Sequence, residues 1–482
     1  MDLGRTLRKW GGVRIGPKAE VVGCERERET SRRLVHIPIR TPTSPSRGSV
    51  PMPRPSSHSL ATACISLLVI LLAARLIPHP PQREPDNVNM VTALKNVIVI
   101  GGSYVGCAAA KELANVLPAT HRVLLVEPHS HFHHLFAFPR FAIVPSHEHK
   151  AFIPYTSLFS ASPNPSLHSV VRASVLEVHP SRVVLDRPFS GSTSLEYDYL
   201  AIATGTRLPS PGSMQDEDKP LSVSYFQEYQ KKVKTARRIV ILGGGAVGCQ
   251  MACDILEVYP DKEVTLVQSR EKVMSRFHEG LHEIVKKRFD ELGVKLVTGS
   301  RAVIPPNGFP LEPTTVTLAS GQSITADLVI TATGQTPNTA FLSTLSPTSP
   351  SGILTPSGFV RVFPTLQLAD GAYPHIFALG DVADSGAHKA ARPGGAQAVV
   401  MAKNVVALLE GKQAEEKIVV SPPAIHMSLG LTKNTVFRNP DAAQGETEPW
   451  FKLKDDGTEN MNIEGVWERR GVKVNGPQEY HL

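Results

Sequence analysis

Asn96-Val-Ile-Val-Ile-Gly101-Gly102-Ser103-Tyr104-Val105-Gly106 and Arg238-Ile-Val-Ile-Leu-Gly243-Gly244-Gly245-Ala246-Val247-Gly248 are two versions of one device in a single chain. In each, a short, β-branched, apolar run has the composition of a central parallel strand, and a glycine turn leads from it into a helical stretch. Glycines there let the backbone approach a pyrophosphate, which rests on the helix N-terminus. The candidate contacts are Gly101, Gly102, Ser103 and Gly106 in the first turn, and Gly243, Gly245 and Gly248 in the second. Ser103 takes the middle glycine place and is small enough for close approach. One such unit implies that a nucleotide binds. Two in this order imply that one dinucleotide hands electrons to another, so the chain reads as a flavoprotein fed by a nicotinamide.

The residues downstream of each turn differ. Val123–Val126, the next strand, ends in Glu127, placed to hydrogen-bond a ribose. The corresponding strand of the second unit, Glu263–Val267, ends in Gln268, with Ser269 and Arg270 behind it. A carboxylate there would accept the 2′-hydroxyl of NADH and repel a 2′-phosphate; a neutral Gln beside Arg270 lacks that repulsion and accommodates NADPH. If Arg270 points into solvent, both nicotinamides bind. Two further apolar strands each end at Ala-Thr-Gly, with Thr204-Gly205 in one and Thr333-Gly334 in the other. Both are expected to be turns that return the chain between domains. Finally, in His375-Ile-Phe-Ala-Leu-Gly380-Asp381 an acid after a strand and a glycine can take a ribityl hydroxyl of a flavin. Five signals in this order predict an α/β protein with two Rossmann-like dinucleotide-binding domains and a small C-terminal domain. The FAD-binding domain is expected over 94–212 and 336–415, the NAD(P)H-binding domain over 213–335, and the C-terminal domain over 416–482.

The net charge of +7 suggests nucleic-acid binding until it is located. Residues 1–59 carry 12 Lys/Arg against 5 Asp/Glu, leaving 39 of each sign in the remainder. The basicity belongs to a tail, the body is neutral, and no nucleic-acid partner is expected. The five cysteines, Cys24, Cys64, Cys107, Cys249 and Cys253, form no CxxC or CxxxxC pair, which disfavours electron transfer through an internal dithiol. Cys249 and Cys253, at i and i+4 on a helix, read as packing.

Residues 1–59 form a basic, Pro/Ser-rich tail expected to be disordered. Leu60–Ala74 is uncharged for 15 residues. As a helix it spans roughly 22 Å, short of the ~30 Å hydrocarbon core, and extension to Ile77 brings it closer. Segment 60–77 is therefore a candidate membrane anchor or a signal segment, pointing to a mitochondrial or other membrane-associated protein. If translation starts at Met90, the extension is absent and the location is cytoplasmic.

The stretches Gly101–Gly106, His131–Arg140, Lys150–Tyr155, Gly243–Gly248 with Val267–Arg270, and Gly380-Asp381 resemble the two-dinucleotide-binding-domain flavoproteins. That is the glutathione-reductase-like fold, here without its redox disulfide. Within them the chain is similar to the apoptosis-inducing-factor homologues of the ferroptosis-suppressor type, which are related to the type II NADH:quinone oxidoreductases. The resemblance implies noncovalent FAD, NADPH or NADH as electron donor, and a quinone such as ubiquinone as acceptor. It assigns Gly101, Gly106, Glu127, Thr204, Gly205 and Asp381 to FAD, and Val175 to a backbone contact with adenine. It makes Arg392–Gln397 the opening of a helix directed toward the flavin ring. The type II enzymes carry AQxAxQ at this place. Here Ala396-Gln397-Ala398-Val399-Val400-Met401 keeps only the first Ala-Gln, so Gln397 is the candidate catalytic residue from that motif. His134, Pro139 and Arg140 are the candidates beside the flavin ring, with Arg140 balancing charge on the reduced flavin. The loop His129–His134, with His147 and His149, is expected to line the pocket or face solvent and to hold no metal. The resemblance makes 416–482 the interface or acceptor-side domain, in which Trp450, Phe451 and Trp467 belong either to a membrane interface near a lipid quinone or to the core of a closing domain. A reductase of a protein carrier or of monodehydroascorbate, and a redox-sensing interaction protein, are the rival readings. The oligomeric state stays open.

Overall fold

The computed structural model describes residues 94–482; the expectations for 1–59, for 60–77 and for a start at Met90 lie outside them. The chain begins with β1 (Lys95–Ile100), α1 (Tyr104–Val116), β2 (His121–Val126), β3 (Ser169–Val171) and β4 (Tyr199–Ile202). It continues with α2 (Lys219–Thr235), β5 (Arg238–Leu242), α3 (Ala246–Val258), β6 (Glu263–Val267), α4 (Glu279–Leu292), β7 (Lys295–Val297) and β8 (Leu328–Thr331). Then come β9 (Ile376–Ala378) and α5 (Ala391–Leu409), and last β10 (Ala424–Ser428), β11 (Asn434–Arg438), β12 (Trp450–Lys454) and α6 (Ile463–Arg469).

The first parallel sheet has the order β9-β4-β1-β2-β3 and the second β7-β6-β5-β8. Both are right for their sequences. The central strands are runs of Val, Ile and Leu buried on both faces, Val97, Ile98 and Val99 being fully inaccessible. Register is the feature that builds a site. Ile100 lies opposite Val126 and Ile202, and Leu242 lies opposite Val267 and Thr331, so three strand tips end flush in each sheet. The next residues, Gly101, Glu127 and Ala203 in one sheet and Gly243, Gln268 and Ala332 in the other, therefore meet at the C-terminal edge, where α/β sheets bind ligands.

The two Ala-Thr-Gly crossings run side by side. Thr206 and Arg207 pair antiparallel with Pro337 and Thr336. Thr204 Oγ1 donates to the Asn338 carbonyl at 2.7 Å, and Asn338 Nδ2 returns a bond to the Thr204 carbonyl at 2.9 Å. Helix α2 falls within the segment expected to open the NAD(P)H domain, yet Phe226 packs edge-on against Phe138 of the first unit, with centroids 5.1 Å apart. Helix α4 is stopped by Gly293 at φ +80°.

The C-terminal segment forms the antiparallel sheet β10-β11-β12 and helix α6. Trp467 is fully buried and its indole N–H donates to the Lys150 carbonyl at 2.8 Å, making it a core residue that fastens α6 to the first unit. Trp450 and Phe451 lie on β12 and stay about half exposed, at 50% and 48%. Among the described residues no helix is long and apolar enough to cross a membrane.

Candidate dinucleotide sites

At the first turn, Gly101 has φ +99°, and a Cβ there would stand 2.7 Å from the Ala203 carbonyl oxygen; at Gly106 it would collide with the carbonyl of Gly101. Only glycine lets α1 start this close to the tip of β1. Ser103, the N-cap, makes no side-chain hydrogen bond to the helix, and the first turn of α1 holds no acid. Its leading amides are thus without side-chain caps, as a site for an anion requires. Gly102 N–H donates to one Glu127 oxygen; the other accepts from the His129 backbone N–H and meets its imidazole. Glu127 is thereby held at the turn with its carboxylate oriented. Two residues without an assigned role complete the cradle: Tyr155 Oη donates to the Gly102 carbonyl at 2.8 Å, and the Cys107 thiol to the same oxygen at 3.1 Å. The stretch Lys150–Tyr155 carried the resemblance, but a tyrosine fifty residues from the turn gives no local signal of this contact.

The second turn repeats the arrangement. Gly243 has φ +113°, a Cβ at Gly248 would collide with the Gly243 carbonyl, and Gly245 is exposed with open space beside it. Gln268 does what Glu127 does: its Oε1 accepts from Gly244 N–H at 3.1 Å, while its Nε2 donates to the Lys272 carbonyl at 3.0 Å. Arg270 is exposed, with Nη1 donating to Ser275 Oγ at 2.7 Å. It borders a depression of about 490 Å³ with Glu271, His278, His282 and Lys272, the last paired with Glu279. Gly334, at φ +75°, is exposed at the second crossing.

Beyond β9, Gly380 turns at φ +74° against Val105 of α1. Its N–H donates to Gln397 Oε1 at 2.7 Å, and Gln397 Nε2 donates to Ser385 Oγ at 3.0 Å. Gln397 is buried with both ends of its amide engaged, so here it positions the Gly380-Asp381 turn. The Asp381 carboxylate makes no hydrogen bond among the described residues, and burial raises its pKa against the lowering pull of Lys389 and Arg276. Lys389 is fixed to the same turn, donating to the carbonyls of Asp381 and Ala383 at 2.8 and 2.9 Å. A half-buried acid with a free carboxylate suits a hydroxyl-bearing ligand. Helix α5 opens at Ala391 with Arg392-Pro393-Gly394-Gly395 in its first turns, as expected.

Arg140 corrects its expectation. The side chain is fully buried; Nε donates to Asp254 of α3 at 2.7 Å, Nη2 to the Gly430 carbonyl at 2.7 Å, and Nη1 to the carbonyls of Thr458 and Glu459. A guanidinium so surrounded ties together both nucleotide units and the C-terminal domain and has no free face for a flavin. Pro139 is buried in the same short helix. His134 stays near the first turn, its Nδ1 3.0 Å from Tyr104 Oη. Burial, reinforced by Arg470 and Arg469, drives its pKa down to about 3, so the ring is neutral. Thr204 and Gly205 lie at the crossing, the Thr204 hydroxyl being taken by Asn338. Val175 opens the β-ribbon strand Val175–Val178, opposite Leu185. In the loop, His129 meets Glu127 and packs on His133 with ring centroids 4.1 Å apart, and His131 meets the Ser130 hydroxyl; among the described residues no group of His, Cys, Asp or Glu has the geometry to hold a metal ion.

Both turns fit a dinucleotide: colliding glycines, helix starts without side-chain caps and an oriented acceptor at the neighbouring tip. Comparison with known proteins agrees. Residues 95–404 match the family model described as pyridine nucleotide-disulphide oxidoreductase. The chain is 36% identical over 401 residues to Fe-regulated protein 8 of Mycosarcoma maydis, covering 79% of this chain and 96% of that protein. It is 29% identical to apoptosis-inducing factor homolog B of Dictyostelium discoideum, covering 71% and 89%. The sulfide:quinone oxidoreductase of Aquifex aeolicus superposes with a TM-score of 0.60 at 17% identity, covering 80% of this chain and 94% of that one. At that identity the likeness shows the fold.

Proposed function

The chain belongs to the pyridine nucleotide-disulphide oxidoreductase family, and from that premise we propose that it is a quinone reductase that prefers NADPH. As an FAD-dependent NAD(P)H oxidoreductase it has to release electrons to an acceptor. The observation that carries the proposal is the state of its thiols. Cys107, Cys249 and Cys253 are free and buried, and burial pushes the Cys107 thiol up to about 11 and raises the other two further. Among the described residues there is no dithiol to relay electrons, so the acceptor must be served without one.

When bound, FAD supplies the redox chemistry between nicotinamide and acceptor. The chain supplies placement. Glu127, held by Gly102 N–H, and the first turn of α1 orient the adenosine and pyrophosphate end, and Asp381 offers a free acceptor to the ribityl end. Gln268 presents a neutral amide where a carboxylate would repel a 2′-phosphate, and Arg270, Lys272 and the nearby imidazoles favour one. An apolar acceptor finds apolar surface on β12, where Trp450, Phe451 and Leu453 are exposed beside Lys452 and Lys454. A quinone of this kind resides in lipid, so the proposal includes membrane association through 60–77, in mitochondria or another organelle.

The test is to purify the full chain with its flavin and follow NADPH oxidation with and without short-chain ubiquinone. Quinone-dependent turnover of about 10 per second, the median for enzymes, is expected. Flavin that is reduced by NADPH and stays reduced with quinone present would refute the quinone and point to a protein carrier or a sensing role. Strict preference for NADH would refute the donor.

A further inference from the structure

Arg470, the residue after α6, is a cation beside the first glycine turn. Its guanidinium carbon stands 3.0 Å from the ring centroid of Phe132 and 5.9 Å from that of Tyr104, the first residue of α1. Among the described residues its side chain makes no ion pair. The groups that its charge reaches include Cys107, His134, Tyr104 and Tyr155. The Cys107 thiol, pushed up to about 11 by burial, lies against the guanidinium. His134 is neutral, and burial raises the pKa of Tyr104 and Tyr155. Glu127, an acid of the same turn, is held by Gly102 and His129 and makes no ion pair with the guanidinium.

The cation is held there by the fold. Its backbone N–H donates to the Val466 and Trp467 carbonyls at 3.1 Å, closing α6. Helix α6 is anchored by buried Trp467 and by a Lys150–Glu464 ion pair of 2.7 Å. An aromatic ring offsets only part of the cost of a half-buried cation that makes no ion pair, and a ligand of opposite charge offsets more. The Cys107 thiol that meets the guanidinium also donates to the Gly102 carbonyl, which puts the cation next to the turn that α1 opens from.

We infer that Arg470 is a cofactor-positioning residue: the C-terminal segment delivers its guanidinium to the pyrophosphate of the dinucleotide bound at Gly101–Gly106. The inference rests on the assignment of FAD to that turn. It means that the domain expected to shape the acceptor side also helps to retain the flavin, and that FAD loading and docking of α6 stabilise each other.

The test uses the full chain as wild type, Arg470→Gln and Arg470→Lys, each stripped of flavin and reconstituted with FAD. Loss of one charge-assisted contact is expected to raise the FAD dissociation constant about 10- to 100-fold in Arg470→Gln, with partial recovery in Arg470→Lys. The flavin midpoint potential should stay at the wild-type value, because the contact is to the pyrophosphate. The flavin-free Arg470→Gln protein should melt at or above the wild-type temperature, since it loses a half-buried cation that makes no ion pair, while its FAD-bound form melts lower. An unchanged dissociation constant overturns the inference. So does a shifted midpoint potential, which would place Arg470 at the flavin ring, or a flavin-free form as destabilised as the bound one, which would make Arg470 structural. Failure of wild type itself to bind FAD would instead defeat the cofactor assignment on which the inference rests.

Discussion

The two nucleotide units of this chain share almost everything that backbone can share. Their common strands have the same order, their central strands end flush with their neighbours, and in each a Cβ on the last glycine would strike the carbonyl of the first. They differ in the side chain that accepts the second glycine's N–H, a carboxylate from Glu127 in one and an amide from Gln268 in the other. Geometry and ligand choice are therefore separable. Any acceptor of the right length steadies the turn, so the charge on that acceptor is free to select which ribose, bare or phosphorylated, is welcome.

The largest effect should come from breaking the shared part in one unit at a time. Gly248→Ala places a methyl group on the Gly243 carbonyl, and Gly106→Ala does the same to Gly101. Each should cost about 3 kcal/mol or more locally, since overpacking a tight site has no cheap relief. The separable outcome is that Gly248→Ala keeps its yellow flavin but no longer quenches on titration with NADPH, whereas Gly106→Ala is isolated without flavin. Loss of FAD from both variants would mean that the units do not bind independently.

Acid should sharpen the contrast next. Among the described residues, every histidine whose pKa is lowered, His131, His133, His134, His149, His168 and His388, lies in the segments of the FAD-binding unit, with burial the largest cause in each. A depressed base binds fewer protons folded than unfolded. Stability is therefore full above about pH 6.5, the unfolded value, and falls as pH drops toward the folded values, about 3 for His134 and about 4 for His149. A fully buried imidazole contributes up to ~1.4 kcal/mol per pH unit in that window. Thermal release of FAD fluorescence, measured from pH 7 to pH 5, should move to lower temperature, and His134→Gln should flatten the trend. An unchanged slope in that variant would rule His134 out as a contributor.

The smallest effect tests the difference itself. Gln268→Glu keeps the acceptor for Gly244 N–H, loses the donor to the Lys272 carbonyl and restores a negative charge at the 2′ position. The ratio of kcat/KM for NADPH over NADH should fall about 10- to 100-fold, since a carboxylate and a phosphate at contact distance repel strongly. A constant ratio would show that the pocket of Arg270, Lys272 and His282 decides alone.

The fold was legible in the sequence to an unusual degree because its signals are backbone demands. A glycine at Gly101 or Gly243 is needed by a positive φ and a close carbonyl, and a run such as Val97–Ile100 has few homes other than a covered parallel strand. The side-chain roles were less legible. Arg140 reads as a flavin neighbour because it follows the loop beside the flavin, yet the helix Phe138–Phe141 turns it inward to Asp254, 114 residues away. Gln397 reads as a remnant of a quinone motif, while its amide holds the Gly380 turn. Trp467 and Trp450 look alike in sequence, and only packing makes one an anchor and the other a half-exposed surface residue.

What the sequence by itself determined is the pair of dinucleotide units, the absence of CxxC and CxxxxC pairs, and the exchange of an acid for an amide between the two strand tips. Each of these is local, set by residues within about thirty positions of one another. What the tertiary structure decided is every relation that closes over a long loop: the pairing of the two Ala-Thr-Gly crossings, the inward turn of Arg140, the Tyr155 contact to Gly102, and the placing of Arg470 beside a turn more than three hundred residues earlier. Such contacts depend on how completed units pack, and packing has no period or motif that a sequence could display.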